Sequence, residues 1–453
     1  MLNNQNPLYR WSIILSLLSS FLVFLDNTIV NLALPIIENG LHTTRAELEW
    51  VINAYALSFA AIMLGSGALT DYFGPKKIFT IGLFLFLFTS IFCAIAPSIL
   101  ILNISRLFQG VGAALLLPSS LKLGISNTNN DNHRGKIVGL WAAAGGIGLA
   151  VGPFLGGLLV NYFNWPSIFW ANVIVCLVML SIILLKLKQK ENKPIGKKFD
   201  FWGQLAATVA IGGLVFGLIE APSRGWSDKL VLSSFILMVI GCISFFRIEN
   251  RVSSPLLPHR LYKDKVFIIS IIQGSLFNFM FYGLLFALTF KFQYSLNMKV
   301  LISGFCFLPL TAFVAVGNLS APKIASHKGR IFVLKLGQTI LAISLLSVLL
   351  LNYIHSPLWV ILTSLVTIGF SSGLLVPTMV SQTLSTVSSD LHGAASAAFN
   401  TFRQIGGAVG IAVFGPLLGV KFDFDTGITI CILLTVIAII ISFILSILIP
   451  KQQ

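Results

Sequence analysis

Charge is what this sequence has least of. Only 10% of its 453 residues are Asp, Glu, Lys or Arg, and the acids number 15 against 30 basic residues. A chain so poor in charge cannot cover itself with a hydrated surface. Cysteine is also scarce: five residues (Cys93, Cys176, Cys242, Cys306, Cys431) lie scattered in apolar runs without paired spacing. They suggest neither a disulfide framework nor a metal site, and read as small buried hydrophobes. The six histidines are equally dispersed. Long polar stretches are missing too. The longest, about 188–199 and 248–265, are short, basic and Pro-containing, so a soluble domain or a loop-built active site has no room; no enzyme, metal or cofactor is expected.

Apolar residues fill the remainder, at 56% of the chain with a mean hydropathy of +0.91. Runs of ~20 apolar residues, each able to cross ~30 Å of hydrocarbon, follow one another from about 11–37 through 298–322 and 393–420 to 426–449. About fourteen such spans are expected, and as helices, because lipid offers no partners to backbone polar groups. The first is too long, and charged too early, to be a cleavable signal peptide. The fold class is therefore an all-α polytopic membrane protein. The net charge of +15 does not point to nucleic acid, because Lys and Arg concentrate in alternate loops. By the positive-inside rule that bias puts both termini in the cytoplasm, in a multi-pass inner or plasma membrane protein.

Two Gly-rich segments echo each other, Gly145–Gly157 and Gly406–Gly419, and Gly110 precedes Pro118 by the same interval as Gly369 precedes Pro377. The pairing implies two six-helix halves, 1–187 and 266–453, with two inserted helices and basic linkers in 188–265. Duplicated halves around a midplane site are a transporter architecture.

In so apolar a setting each charge is readable. Asp26, in the first span, costs about 2.5–3.5 kcal/mol at mid-bilayer, and desolvation disfavours its charged form. Such a carboxyl can hold either a proton or a cationic ligand; the alternative is a structural aspartate bonded to Asn27, Asn31 or a facing helix. Arg106, in the fourth span with Gln109 and Gly110, cannot deprotonate. It is a partner for Asp26 or an anchor to backbone carbonyls. Arg403 is expected nearer the cytoplasmic end of the thirteenth span, packing or snorkelling as readily as functioning. Glu220 reads as a solvated interfacial residue able to pair with Arg224. Gly67 through Lys77, with Asp71, Gly74 and Lys76, makes a cytoplasmic turn in which Asp71 is expected to meet the positive N-terminus of a neighbouring helix as a breakable latch. The alternative is an ordinary turn with two lysines. Gly148, Gly152, Gly156 and Gly157 allow close helix approach, and Pro153 allows bending; Gly415 and Pro416 repeat the pattern.

At these residues the chain resembles the major facilitator superfamily, in its fourteen-helix drug:proton antiporter branch. Leu25 through Pro35 resembles that branch's helix 1 signature, Leu102 through Ala114 its helix 4 signature, and Gly148 through Gly157 its antiporter signature. Gly67 through Lys77 is similar to the superfamily's helix 2–3 loop, but Tyr72 and Pro75 stand where basic residues are usual. The resemblance implies alternating access and proton-driven export, often of hydrophobic or cationic compounds; the expected cargo is a hydrophobic, cationic drug, and the expected state a monomer. Asp26 and Arg106 would couple proton and small-molecule substrate, with Asn31, Gln109, Glu220 and Arg403 lining or supporting the path. A same-fold exporter of an anionic metabolite, siderophore or lipid is the alternative, and a membrane sensor a remoter one.

Overall fold

The computed structural model describes residues 7–126, 131–187, 199–353, 357–388, 391–418 and 423–449, with helices throughout and no strand among them. The chain begins with α1 (Pro7–Ile29), a 3-10 turn (Asn31–Ala33) and α2 (Leu34–Gly40). Pro35 has no N–H for the Asn31 carbonyl, so the apolar run expected as one span tightens there and restarts. Then come α3 (Arg45–Phe73), α4 (Pro75–Ala94), α5 (Ile99–Ile125), α6 (Asp131–Phe163) and α7 (Ser167–Lys186). Next are α8 (Phe201–Arg224), α9 (Lys229–Glu249), the short α10 (His259–Lys263) and α11 (Lys265–Phe290). The chain ends with α12 (Val300–Cys306), α13 (Leu308–Lys328), α14 (Arg330–Tyr353), α15 (Leu358–Ser385), α16 (His392–Phe414) and α17 (Phe424–Ile447).

Several of the few acids are spent on helix starts. Thr44 and Glu47 form a reciprocal capping box on α3, and Asp200, Asp228 and Asp264 accept from the first free N–H groups of α8, α9 and α11. Each such cap is worth about 1 kcal/mol. Gly74, at φ +88°, closes α3 in a conformation that other residues resist, and Pro75 opens α4.

Thirteen segments among the described residues are long and apolar enough to cross a membrane. Of the fourteen expected spans, the thirteenth, 393–420, is the exception. It is helical as α16 only to Phe414, continues as a 3-10 turn over Gly415–Leu417, and residues 419–422 lie outside the described residues. The helix falls short in apolarity because it is interior: Thr401, Arg403 and Gln404 are all buried, beside small residues packed on other helices. Elsewhere large apolar side chains point outward, as Phe92, Phe108, Ile174, Ile240 and Ile444 do, while Ser, Asn, Gln and Thr lie inside. That inversion suits lipid rather than water as the surroundings.

Glycine sets the closest helix contacts. A Cβ on Gly148 or Gly156 of α6 would come within 2.4 Å of the Phe21 or Ile29 carbonyl oxygen of α1. On Gly406 or Gly410 of α16 it would lie 2.1 or 2.3 Å from the Ser275 or Phe279 carbonyl of α11. α1 with α3–α7 and α11 with α12–α17 thus form two bundles, joined where α3 meets α16 and α6 meets α12 and α13. Gly157 reaches across that seam towards Gly304, and Phe154 meets Phe305 at 5.3 Å. α8 packs over the seam against α3 and α16, and α9 lies outside it on α8. Pro153 does not break α6: its missing N–H leaves the Leu149 carbonyl free, and the Thr28 hydroxyl donates to it at 3.0 Å.

Candidate functional site

Asp26 is fully buried on α1, and α5 and α7 bring donors to both of its oxygens. Arg106 Nη1 donates to Oδ2 at 2.6 Å, and Asn172 Nδ2 to Oδ1 at 2.6 Å. Arg106 also donates from Nε to the Val51 carbonyl (2.9 Å) and from Nη1 to Gln109 Oε1 (2.7 Å). The two sequence alternatives for this arginine, ion pair and backbone anchor, therefore coexist. Gln109 Nε2 donates to Ser90 Oγ at 2.8 Å. The guanidinium lies 4.3 Å from the Tyr55 ring centroid and 5.8 Å from that of Phe169. A buried ion pair tolerates its desolvation better when its remaining polar atoms are also met, and here both carboxylate oxygens and the arginine Nε and Nη1 have partners. Everything in this cluster belongs to one bundle.

The next residue faces the other way. Asn27 Nδ2 donates to Tyr282 Oη of α11 at 3.0 Å and reaches Gln404 Oε1 of α16 at 3.5 Å. Asp26 and Asn27 thus place an ion pair and a contact across the seam on adjacent residues of one helix. Asn31 is buried with Nδ2 on the Thr28 carbonyl at 3.1 Å and Oδ1 without a partner among the described residues; it does not bond to Asp26.

Arg403 is packed rather than snorkelling, one of the alternatives its position left open. It is 7% exposed, with Nε and Nη2 both on Asn278 Oδ1 at 3.2 Å. The cause is close packing: a Cβ on Gly274 would lie 2.9 Å from Arg403 Cγ, so α11 closes over the arginine stem.

Toward the end of the bundles away from the N-terminus, Glu220 is not simply solvated. It pairs with Arg224 at 2.6 Å, as the i, i+4 spacing allows, and accepts from Trp50 Nε1 at 2.8 Å, pinning α8 to α3. Beside it Glu49 of α3 is 4% exposed, and its Oε2 has no partner among the described residues. Gly415 makes room for it, since a Cβ there would come 2.0 Å from Glu49 Oε1. At the same end Gln293 donates to the Leu32 carbonyl (3.1 Å) and Tyr294 to Glu38, so the bundles are tied together there.

The turn after α3 is corrected in one respect. Asp71 pairs with the Lys122 side chain, in the last turn of α5, and not with a helix N-terminus. A helix C-terminus favours a cation, which is the reason a lysine rather than free N–H groups awaits the carboxylate. The pair lies within one bundle. Gly67 faces open space, as does Gly74, and Lys76 caps nothing but offers its carbonyl to Thr80 Oγ1. Pro416 sits in the 3-10 turn beyond α16.

Sequence reasoning paired Asp26 with Arg106 and placed Gln109 near them, but missed Asn172, Glu49, Asn278 and Tyr282. Asn172 and Asn278 carried a signal, as lone amides inside strongly apolar runs. Glu49 had one too: Glu47 belongs to the capping box, which puts Glu49 inside the helix.

The sequence profile of the Major Facilitator Superfamily matches residues 16–411. The chain is 32% identical over 426 residues to a methylenomycin A resistance protein of Bacillus subtilis, covering 92% of this chain and 89% of that protein. It is 31% identical to the multidrug resistance protein Stp of Mycobacterium tuberculosis (88% and 74% covered). It is also 32% identical to a tetracenomycin C resistance and export protein of Streptomyces glaucescens (88% and 73%). In structure it is similar to the POT family transporter PepTSo, with a TM-score of 0.69 at 12% identity over 96% of this chain and 97% of that one. With a profile match over most of its length, a multi-pass helical architecture and relatives at this identity, the chain belongs to the major facilitator superfamily and is a membrane transporter rather than an enzyme.

Proposed function

We propose that this chain is a proton-coupled antiporter that exports hydrophobic toxic compounds by alternating access, as a monomer with both termini in the cytoplasm. The two six-helix halves, 1–187 and 266–453, would rock about the seam, with 188–265 bracing it. The observation that carries the reading is the junction at Asp26 and Asn27. A proton on Asp26 weakens its hold on Arg106 and Asn172, and α1 relays the change to Asn27 and so to Tyr282 and Gln404 across the seam. Gln109 steadies Arg106, Gly148–Gly157 keeps α6 against α1 while they move, and the Asp71–Lys122 pair acts as the latch at the other end. Relatives named for resistance to methylenomycin A and for resistance to and export of tetracenomycin C support a drug-like cargo.

Both Asp26 oxygens are occupied in this conformation, so a cationic compound meets that carboxylate only after the pair opens. A second reading, a cargo with an acidic group, is favoured by Arg403, which is buried with no carboxylate partner among the described residues. The test is pH-gradient-driven efflux from vesicles of matched cationic, neutral and anionic compounds. Asp26→Asn is expected to abolish the gradient-driven component; efflux as fast as wild type would remove Asp26 from the coupling.

A further inference from the structure

Arg403 is the one strong charge in the second bundle's interior for which the described residues offer no opposite charge. Its guanidinium is closed in by α11 and α16, with Phe399 at 5.7 Å from the ring centroid. Its polar partner is a single amide oxygen, Asn278 Oδ1, shared by Nε and Nη2. An arginine cannot shed its proton to escape burial, as a carboxyl or a lysine can. Leaving it with a neutral acceptor therefore holds a desolvated cation in place, an arrangement that opposes folding. A second donor points the same way: Asn278 Nδ2 is buried and has no partner among the described residues. A guanidinium fork beside an idle amide N–H₂ is a donor set that fits the two oxygens of a carboxylate. One turn further along α11, Tyr282 touches Asn27 of the other bundle, so this donor set lies beside the seam that must part when cargo passes.

Resting on the export reading above, we infer that Arg403 and Asn278 form the subsite for an anionic group, a carboxylate or a similar planar monoanion, on the transported compound. The arrangement explains why the molecule keeps a charge that its described residues do not balance. The cargo supplies the balance, and an empty carrier is left with the unmet cation. Asp26–Arg106 then serves the proton, and Arg403–Asn278 the cargo, in separate bundles. A phospholipid headgroup carries related chemistry, and the experiment separates it from a solute.

Binding of 1-pyrenebutyrate and of its primary amide is measured on the full chain in phosphatidylcholine nanodiscs, free of anionic lipid. The wild type is expected to hold the acid about tenfold tighter than the amide, as a charge-assisted fork would. Arg403→Met combined with Asn278→Leu is expected to erase that preference while unfolding at or above the wild-type temperature, because it removes an unbalanced charge together with its acceptor. Should the double variant fail to fold, Arg403→Lys reads the same question, keeping the charge without the fork and losing most of the preference. Equal affinity for the two probes, binding of neither, or a preference that survives these variants overturns the proposal. Loss of acid binding when phosphatidylglycerol is added gives the site to a headgroup and overturns the cargo assignment. No gradient enters this measurement, so a failure of pH-driven efflux sinks the antiport reading and leaves the binding result to stand alone.

Discussion

Arg106 and Arg403 are each more than nine-tenths buried, one in each bundle, yet among the described residues only the first meets a carboxylate. Arg106 has Asp26, a glutamine, a backbone carbonyl and an aromatic face, all contributed by its own bundle. Arg403 has one amide. A self-sufficient charge cluster can be opened and closed by a proton; an incomplete one calls for something from outside. The difference separates a coupling centre from a binding centre within a fold built of echoing halves.

The sharpest way to break this comparison is to remove each arginine in turn. Arg106→Met strands Asp26 in a dry interior and should cost about 3–5 kcal/mol of stability, followed as thermal or denaturant unfolding in detergent. Adding Asp26→Asn should restore most of that loss. Arg403→Met with Asn278→Leu should cost nothing. Equal losses at the two sites would mean that both arginines are structural and that the contrast between bundles is false.

The glycine contacts test whether the bundles are built alike. Gly148→Ala and Gly406→Ala each drive a methyl towards a backbone oxygen, of Phe21 and of Ser275, which cannot swing aside. Each should cost about 1–3 kcal/mol. Gly67→Ala meets open space and should leave stability unchanged or slightly raised. If Gly67→Ala nevertheless halts efflux, the open space beside it closes in another conformation of the cycle.

The helices and the Asp26–Arg106 pair were legible in the sequence because each rests on a single strong rule: lipid demands apolar helices, and a buried acid demands a cation. Helix α16 was legible too, from the run 393–420, although as an interior helix it is less apolar than the spans that face outward. Asn172 escaped the second rule, since a lone amide in an apolar run does not announce which distant helix it faces. Tyr282 and Asn278 share that difficulty: a helix's rotation about its own axis decides its contacts, and one sequence fixes that rotation poorly where nearly every face is apolar. The 3-10 turn at Asn31–Ala33 could have been read from Pro35, whose missing N–H is a local fact. For Arg403 packing and snorkelling both stayed open because position along the span does not decide between them; the absent side chain of Gly274 is what encloses it.

Glu49 and Gly415 provide a smaller test at the far end of the same seam. A methyl on Gly415 collides with the Glu49 carboxyl, which has no bonding partner on Oε2 to hold it against displacement. Gly415→Ala should therefore destabilise the wild type but be nearly silent in a Glu49→Ala background, with an interaction of about 0.5–3 kcal/mol in the double-mutant cycle. Additive effects would return Gly415 to the hinge role expected from sequence, since a hinge does not depend on that carboxyl.

The smallest effect is expected at Asp71 and Lys122, and it bounds the comparison from the solvent side. Their side chains are 45% and 35% exposed, so water and salt compete for the pair in a way that they cannot for Asp26 and Arg106. Lys122→Ala should change unfolding free energy by less than about 1 kcal/mol, and raised salt should shrink even that. A latch is nevertheless measured by rates. If Asp71 holds one conformation of the cycle, Asp71→Asn should alter the pH-driven efflux rate while the unfolding temperature stays put. If both stay put, the turn after α3 is only a turn. If both fall together, the ion pair belongs to the folded core of its bundle, and the distinction between buried and exposed pairs on which the comparison of the two arginines depends would need to be redrawn.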